Sequence, residues 1–491
     1  MLKRQVTAKV ALFTMIILSI SAANAVGSDV SDVTSGEVTS TLNDQQSVAV
    51  TIYNNNLALV KDKRKVKLDS GLLKLAIRDV SAQMRPETAL LRSLSNENGF
   101  FTVEQNFDFD LLTPAKLLEK YVGKSVSIIK TNHNTGEEKV EKATVLSANN
   151  GVVLKIGNRI ETGIPGRIVY DNIPENLRDR PTLVIKINNK TLTEQNLELS
   201  YLTGGLAWKA DYVAELNSKE DSIDLSGWVT LTNTSGATYN NAKLQLVAGD
   251  VNRVQENFPR TMMMRKGAEM MVADQAPMAE ESLLEYNLYS LDRLTTIAEN
   301  QTKQVALLSA SNVPARKELL LRGADYYYQG QYGDLGSKIK VSAYVEFDNK
   351  EVAKLGIPLP KGIMRVYKKD SQGNAQFVGE DSIDHTPKNE VVRLKLGESF
   401  DVTADKKQTD FKVLPNPNKN NNAYESAYEI RLNNAKKEKV TVTVQEPING
   451  DWTITSENQA HKKNKGQLAV WKIEIPAEGS MTLTYRVRVK Y

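Results

Sequence analysis

A mainly β, multi-domain β-sandwich architecture, with a small SH3-like barrel in the N-terminal half and little helix, is the fold that the sequence predicts. Three observations carry it. Apolar and polar residues alternate in short runs along most of the chain, as in Val48-Ala49-Val50-Thr51-Ile52-Tyr53 and in Leu183 to Ile187, which is the period of a strand with one buried face. Asn, Gly and Pro punctuate those runs at close intervals, as in Asn134-Thr135-Gly136 and Asn149-Asn150-Gly151, the chemistry of tight hairpins. At 491 residues the chain is also too long for one core, so about two to four domains is the natural expectation.

The first segment, residues 1–25, has the order of a secretory signal peptide. Lys3, Arg4 and Lys9 form a basic start, Val10 to Ile20 an apolar run, and Ala23-Asn24-Ala25 a small-residue cleavage site. The apolar run is short for a membrane span, so cleavage after Ala25 and export are expected. Residues 26–46, rich in Ser, Thr, Asp and Gly, read as a flexible leader.

Residues 47–113 read as an N-terminal β domain, with turns at Asn54-Asn55-Asn56 and Asp69-Ser70-Gly71. Residues 114–174 read as the small SH3-like barrel. Pro114 opens a short helix to Tyr121, where Pro suits the first turn, and short strands joined by Asn-Gly turns follow. Residues 175–254 read as a β-sandwich segment. Residues 255–282 break the pattern with six of the 11 Met residues and read as a Met-rich mobile linker. Residues 283–491 read as a C-terminal β-sandwich, with an exposed loop at Asn416 to Asn422 and with Pro447 and Pro476 at strand ends.

Composition excludes several function classes. Lys and Arg number 63 against 59 Asp and Glu, and three of the basic residues lie before the cleavage site. The remainder is near neutral, unlike a nucleic-acid binder. The absence of cysteine removes disulfides, Cys–zinc sites, thiol nucleophiles and a lipoprotein anchor. Only His133, His385 and His461 are present, far apart in sequence. No second long apolar run suggests a transmembrane helix. The expected location is therefore exported, periplasmic or secreted.

Four clusters are candidates for chemistry, each with a plainer reading. Glu380, Asp381, Asp384 and His385 combine carboxylates with a histidine, as a divalent cation site or an acid–base pair requires; a solvated turn before Thr386-Pro387 explains them equally. Met262, Met263, Met264, Met270, Met271 and Met278 offer soft thioethers to Cu(I), but they lack regular spacing and nearby His. Tyr326, Tyr327, Tyr328 and Tyr332, with Trp208 and Trp228 near turns, offer aromatic faces to a glycan; paired aromatics on strands are the commoner use. Leu483, Tyr485, Val487, Val489 and Tyr491 alternate to the end of the sequence, as the last strand of an outer-membrane barrel does. A final sandwich strand has the same pattern. No G-x-S-x-G, Walker or dinucleotide motif occurs. No catalytic, cofactor-binding or metal residue is assigned, and no cofactor is called for.

One resemblance covers roughly residues 180 to 491. It rests on Tyr201 to Tyr212, Gly227 to Gly236, Leu246 to Asp250, Pro358 to Gly362 with Arg365 to Tyr367, Gly379 to Asp381, and Phe400 to Val402. Glu446-Pro447 with Asp451-Trp452, and Leu483 to Arg488, complete it. In this order the motifs resemble the bacterial exported family carrying the domain of unknown function numbered 4139. The resemblance implies β-rich sandwich domains and carries no activity or catalytic residues with it. The functional expectation is a non-catalytic binding or structural module of the cell envelope, its partner an unidentified envelope protein or glycan. Two alternatives are a carboxylate-dependent envelope polysaccharide hydrolase, which needs two carboxylates about 5–10 Å apart in a cleft, and an outer-membrane β-barrel.

Overall fold

A computed structural model describes residues 35–54, 56–174, 177–190, 194–249, 251–252, 278–284, 286–415, 423–464 and 467–491. Strands dominate; among the described residues there is one α-helix, Pro114–Lys120. The mainly β, multi-domain expectation holds. The expected signal peptide, the loop from Asn416 to Asn422, and Met262, Met263, Met264, Met270 and Met271 lie outside the described residues.

The N-terminal body is built from two sheets. One orders strands Ser35–Ser40, Gly71–Arg78, Thr182–Asn189 and Phe100–Asp108. The other orders Ala279–Leu283, Tyr286–Ser290, Tyr239–Ala248, Gln45–Tyr53, Leu57–Lys67, Glu194–Thr203 and Leu90–Ser93, with Thr295–Ile297 also on Tyr239–Ala248. Their inward residues, Leu73, Leu75, Leu183 and Ile185 from the first and Val50, Ile52, Val60 and Leu199 from the second, belong to one core. The alternation at 48–53 has this cause: Val48, Val50 and Ile52 face in, and the residues between them do not.

The sheets cross the borders that the sequence suggests. The hairpin of Gln45–Tyr53 and Leu57–Lys67 lies between Tyr239–Ala248, with which it pairs in parallel, and Glu194–Thr203. Residues 47–113 and 175–254 therefore share sheets and a core. The end of the expected linker also joins it: Met278 is buried in that core, and Ala279–Leu283 is an edge strand.

Residues 114–174 are looped out between two neighbouring strands, since Phe100–Asp108 pairs directly with Thr182–Asn189. The Thr113 hydroxyl caps the helix by accepting from Lys116 N at 3.2 Å. Five antiparallel strands follow, in the order Arg159–Thr162, Val153–Ile156, Glu138–Ser147, Ser125–Thr131 and Arg167–Val169. They have a core of their own, with Tyr121, Val126, Ile128, Val145 and Leu154. Among the described residues no pairing joins the two end strands, so these pairings show a five-stranded sheet and no SH3-like closure.

The largest sheet runs from Ala375–Ile383 through Gly362–Lys369, Leu206–Leu216, Ser222–Asn233, Gln301–Arg322, Asp334–Asp348, Val391–Leu414, Ala423–Asn434 and Ser480–Lys490 to Asp451–Glu457. Val440–Pro447 adds to Gln301–Arg322 in parallel and pairs on with Leu468–Ile475. Three strands, Gln301–Arg322, Asp334–Asp348 and Val391–Leu414, each serve two cores. Gln301–Arg322 places Val305 and Val313 in the N-terminal core and Leu319 and Leu321 in a second, C-terminal one. Val391–Leu414 divides likewise, with Leu394 in the first and Val402 in the second. Register shifts opposite its middle bend the strand between the two.

The barrel alternative finds no support. The described strands form open sheets with edges. Leu483, Tyr485, Val487 and Val489 face the C-terminal core and form no outer apolar band. No helix among the described residues is long and apolar enough to cross a membrane.

Candidate functional site

The loop between Gln301–Arg322 and Asp334–Asp348 divides the tyrosine cluster. It folds as a 3-10 turn, Asp325–Tyr328, and consecutive residues of such a tight turn point in different directions. Tyr328 turns inward and is fully buried. Its hydroxyl donates to Glu446 Oε2 at 2.8 Å and shares a hydrogen bond with the Tyr485 hydroxyl at 3.0 Å. Tyr326 turns outward and is 53% exposed; Tyr332, farther along the loop, is 39% exposed. The Tyr326 ring meets Tyr327 edge-on at 4.7 Å and Tyr332 at 5.8 Å.

This ledge is anchored from below. Gln408 accepts from Tyr332 N at 2.6 Å and donates to Gly330 O at 3.0 Å. The Tyr428 hydroxyl donates to Tyr327 O at 2.5 Å. At one side Asn449 Nδ2 donates to Asp325 Oδ2 at 3.0 Å, leaving an amide and a carboxylate beside the rings. Further aromatics continue at the same end of the sandwich, with Phe411 stacked on Tyr424 and Tyr424 edge-on to Tyr491. Rings fixed at known angles, with polar groups at their rim, form a surface that can stack on a flat apolar face and orient it.

Beneath the ledge lies a buried ion pair. Lys406 is 3% exposed and Glu446 0%, and Lys406 Nζ stands 2.7 Å from each carboxylate oxygen. The same Nζ lies 4.2 Å from the Tyr327 ring centroid. Burial pushes the Lys406 ammonium below its ordinary range, and the Glu446 carboxylate opposes that shift. Burial, with neighbouring Tyr326 and Glu446, pushes the Tyr327 hydroxyl up to about 12. Burial first, and then Glu446, also raises the Tyr328 and Tyr485 hydroxyls well above their ordinary range. The sequence reading missed this pair, although the signal is present. Val402, Ala404 and Lys406 share one phase, as do Val442, Val444 and Glu446. A charge in each inward phase marks two facing side chains.

The other candidates separate. Glu380 pairs with Arg365 at 3.2 Å. Asp381 accepts from Lys395 N at 2.8 Å and so ties its strand to the next. The Asp384 carbonyl accepts from the Thr386 hydroxyl, and His385 Nδ1 accepts from Lys361 N at 3.2 Å. Among the described residues no three His, Asp or Glu side chains converge as metal ligands. Trp208 is in the N-terminal core and Trp228 is half-buried, so neither extends the ledge. His133 is exposed. His461 Nδ1 lies 3.0 Å from each carboxylate oxygen of Glu457, and Oε2 also accepts from Trp471 Nε1 at 2.9 Å.

No curated protein matches the chain in sequence. The model of a domain of unknown function, DUF4139, matches residues 197–491. That match begins within strand Glu194–Thr203 and takes in the tyrosine ledge, the buried pair and the whole C-terminal core. The N-terminal hairpin lies between two strands of its sheet, Glu194–Thr203 and Tyr239–Ala248, that fall largely or wholly within the match. With well over half its length matched, the chain belongs to the DUF4139 family.

Proposed function

We propose that this protein is an exported, non-catalytic binding module of the cell envelope, and that it takes carbohydrate on the ledge of Tyr326 and Tyr332. The observation that carries the proposal is the pair of exposed, edge-to-face tyrosine rings held by buried anchors. A sugar ring has an apolar face of C–H groups that stacks on an aromatic ring, and hydroxyls at its rim that need polar partners. Asp325, next to Tyr326 in sequence, and Asn449, hydrogen-bonded to it, are polar groups that can serve as such partners. Export rests on the basic, apolar and small-residue order of residues 1–25. The non-catalytic reading is supported by the use of Glu380 and Asp381 in local structure.

The test is calorimetric titration of the full mature chain with soluble envelope oligosaccharides, for wild type and a Tyr326→Ala, Tyr332→Ala double variant. Saturable binding that is lost in the variant, with an unchanged near-ultraviolet spectrum, is the expected result. Equal binding by both proteins, or cleavage of the oligosaccharide, overturns the proposal.

A further inference from the structure

We propose that Lys406 and Glu446 become joined by an isopeptide bond that the fold itself forms. The two residues lie on strands that do not pair with each other. Val391–Leu414 pairs with Asp334–Asp348 and Ala423–Asn434, whereas Val440–Pro447 pairs with Gln301–Arg322 and Leu468–Ile475. Their contact therefore crosses the C-terminal core. Nζ is 2.7 Å from both carboxylate oxygens. Equal distances place the nitrogen on the plane that bisects the carboxyl group through Cδ, within about 3 Å of that carbon, a near-attack separation.

The surroundings favour the reactive form of Lys406. An ammonium has no free electron pair, whereas burial drives Lys406 toward the neutral amine. When the proton passes from nitrogen to carboxylate, the pair becomes an amine beside a carboxylic acid. Nζ then attacks Cδ. The Nζ–Cδ bond forms, the Cδ–Oε2 bond breaks, and Oε2 leaves with two protons as water. One of those protons is the acid's and the other the amine's. Tyr328 donates to Oε2 and is itself bonded to Tyr485, so it can hand a proton to the departing oxygen and recover one from nitrogen. No oxidant or other reactant enters.

Two further features fit a permanent link. Gly323 closes the third side of the carboxyl group; a Cβ there would fall 2.0 Å from Glu446 Oε2. The carboxyl is thus fixed against backbone and screened from the water that would reverse the reaction. Among the described residues the other buried pair, Arg64 with Asp62, uses a guanidinium, which stays protonated and cannot attack. The C-terminal core instead holds the one kind of cation that condenses with a carboxyl group, in a chain without cysteine for disulfides.

Intact-mass measurement on the full chain, unfolded after purification, tests the proposal. The expected mass is one water, about 18 Da, below that calculated from its own N-terminus. Digestion should yield a branched peptide joined through residues 406 and 446. A Lys406→Arg variant should show the full calculated mass, and Tyr328→Phe should accumulate the lighter species more slowly. A wild-type chain at its full mass, with residues 406 and 446 recovered in separate unmodified peptides, overturns the proposal. This digest reads out wild type alone, so it stands even where a variant fails to fold.

Discussion

Arg64 and Asp62 lie two residues apart on one strand and meet inside the N-terminal sandwich, with Arg64 Nε donating to Asp62 Oδ2 at 2.9 Å. The guanidinium also donates to Ser40 O at 3.0 Å and Arg78 O at 2.7 Å, both in or beside the opposite sheet. One side chain thereby fastens the edge strand Ser35–Ser40 and its neighbour Gly71–Arg78 through one backbone carbonyl of each. Truncation to Arg64→Ala leaves Asp62 buried with Gln45 as its one side-chain partner among the described residues. The expected loss is about 3–5 kcal/mol in the urea transition of the N-terminal body. Arg64→Lys should recover less than half of it, because an ammonium lacks the planar fork that reaches three acceptors. A loss below about 1 kcal/mol for Arg64→Ala, the size of a surface pair, would refute the clamp.

The five-stranded unit within residues 114–174 should fold alone. It has its own core, and its two ends are tied: the Tyr121 hydroxyl donates to Asn172 O at 2.6 Å and accepts from Asn172 N at 3.0 Å. The excised segment 113–174 is expected to give a β-type circular dichroism spectrum and dispersed NMR amide shifts. Tyr121→Phe should destabilise it by about 1 kcal/mol through the lost hydroxyl bonds. Collapsed amide dispersion in the wild-type segment would show that it depends on the parent sheets.

Local patterns were legible in the sequence and long-range pairing was not. Val48, Val50 and Ile52 showed their inward face because burial of alternate residues is a property of one strand. The parallel pairing of that strand with Tyr239–Ala248 left no local mark, since partner and register depend on residues far away in the chain. For the same reason the suggested domain borders divided sheets that the fold joins. Aromatics carried the least information. Trp208 near a turn suggested exposure, yet it shares the inward phase of Leu206 and Ala210 and is buried with them. Tyr326 and Tyr328 looked equivalent until a single 3-10 turn sent one to solvent and the other to Glu446.

Gly205 is required by both backbone angle and space. Its φ is +78°, and an added Cβ would lie 2.5 Å from Ser235 Cα. The residue sits in the turn between Glu194–Thr203 and Leu206–Leu216, where its N–H donates to Asn56 Oδ1 at 2.7 Å. Gly71 has a similar angle, φ +94°, with no atom near the Cβ position. Gly205→Ala should therefore cost clearly more than Gly71→Ala, which carries only the strain of about 1 kcal/mol. Paired thermal melts compare them. Equal shifts would mean that the Ser235 backbone yields freely.

Asp211 should contribute a distinct acid-labile component of stability. It is buried on strand Leu206–Leu216, and burial alone raises its carboxyl. The Thr230 hydroxyl at 2.8 Å and the Arg365 guanidinium at 3.0 Å outweigh burial with help from Lys209, and the folded value falls below 3.8. A carboxyl depressed by folding binds its proton more readily in the unfolded chain. Its stabilisation is thus complete above the unfolded value, about pH 4, and is lost as pH falls through the lower folded value. Asp211→Asn retains shape and an acceptor for Thr230 but carries no charge toward Arg365. The variant should be less stable than wild type at neutral pH, and the gap should shrink as pH falls below about 4. Urea midpoints across the acid range measure that gap, with every other carboxyl common to both proteins. A gap that stayed constant down to the acid limit would show that Asp211 holds Arg365 through shape alone.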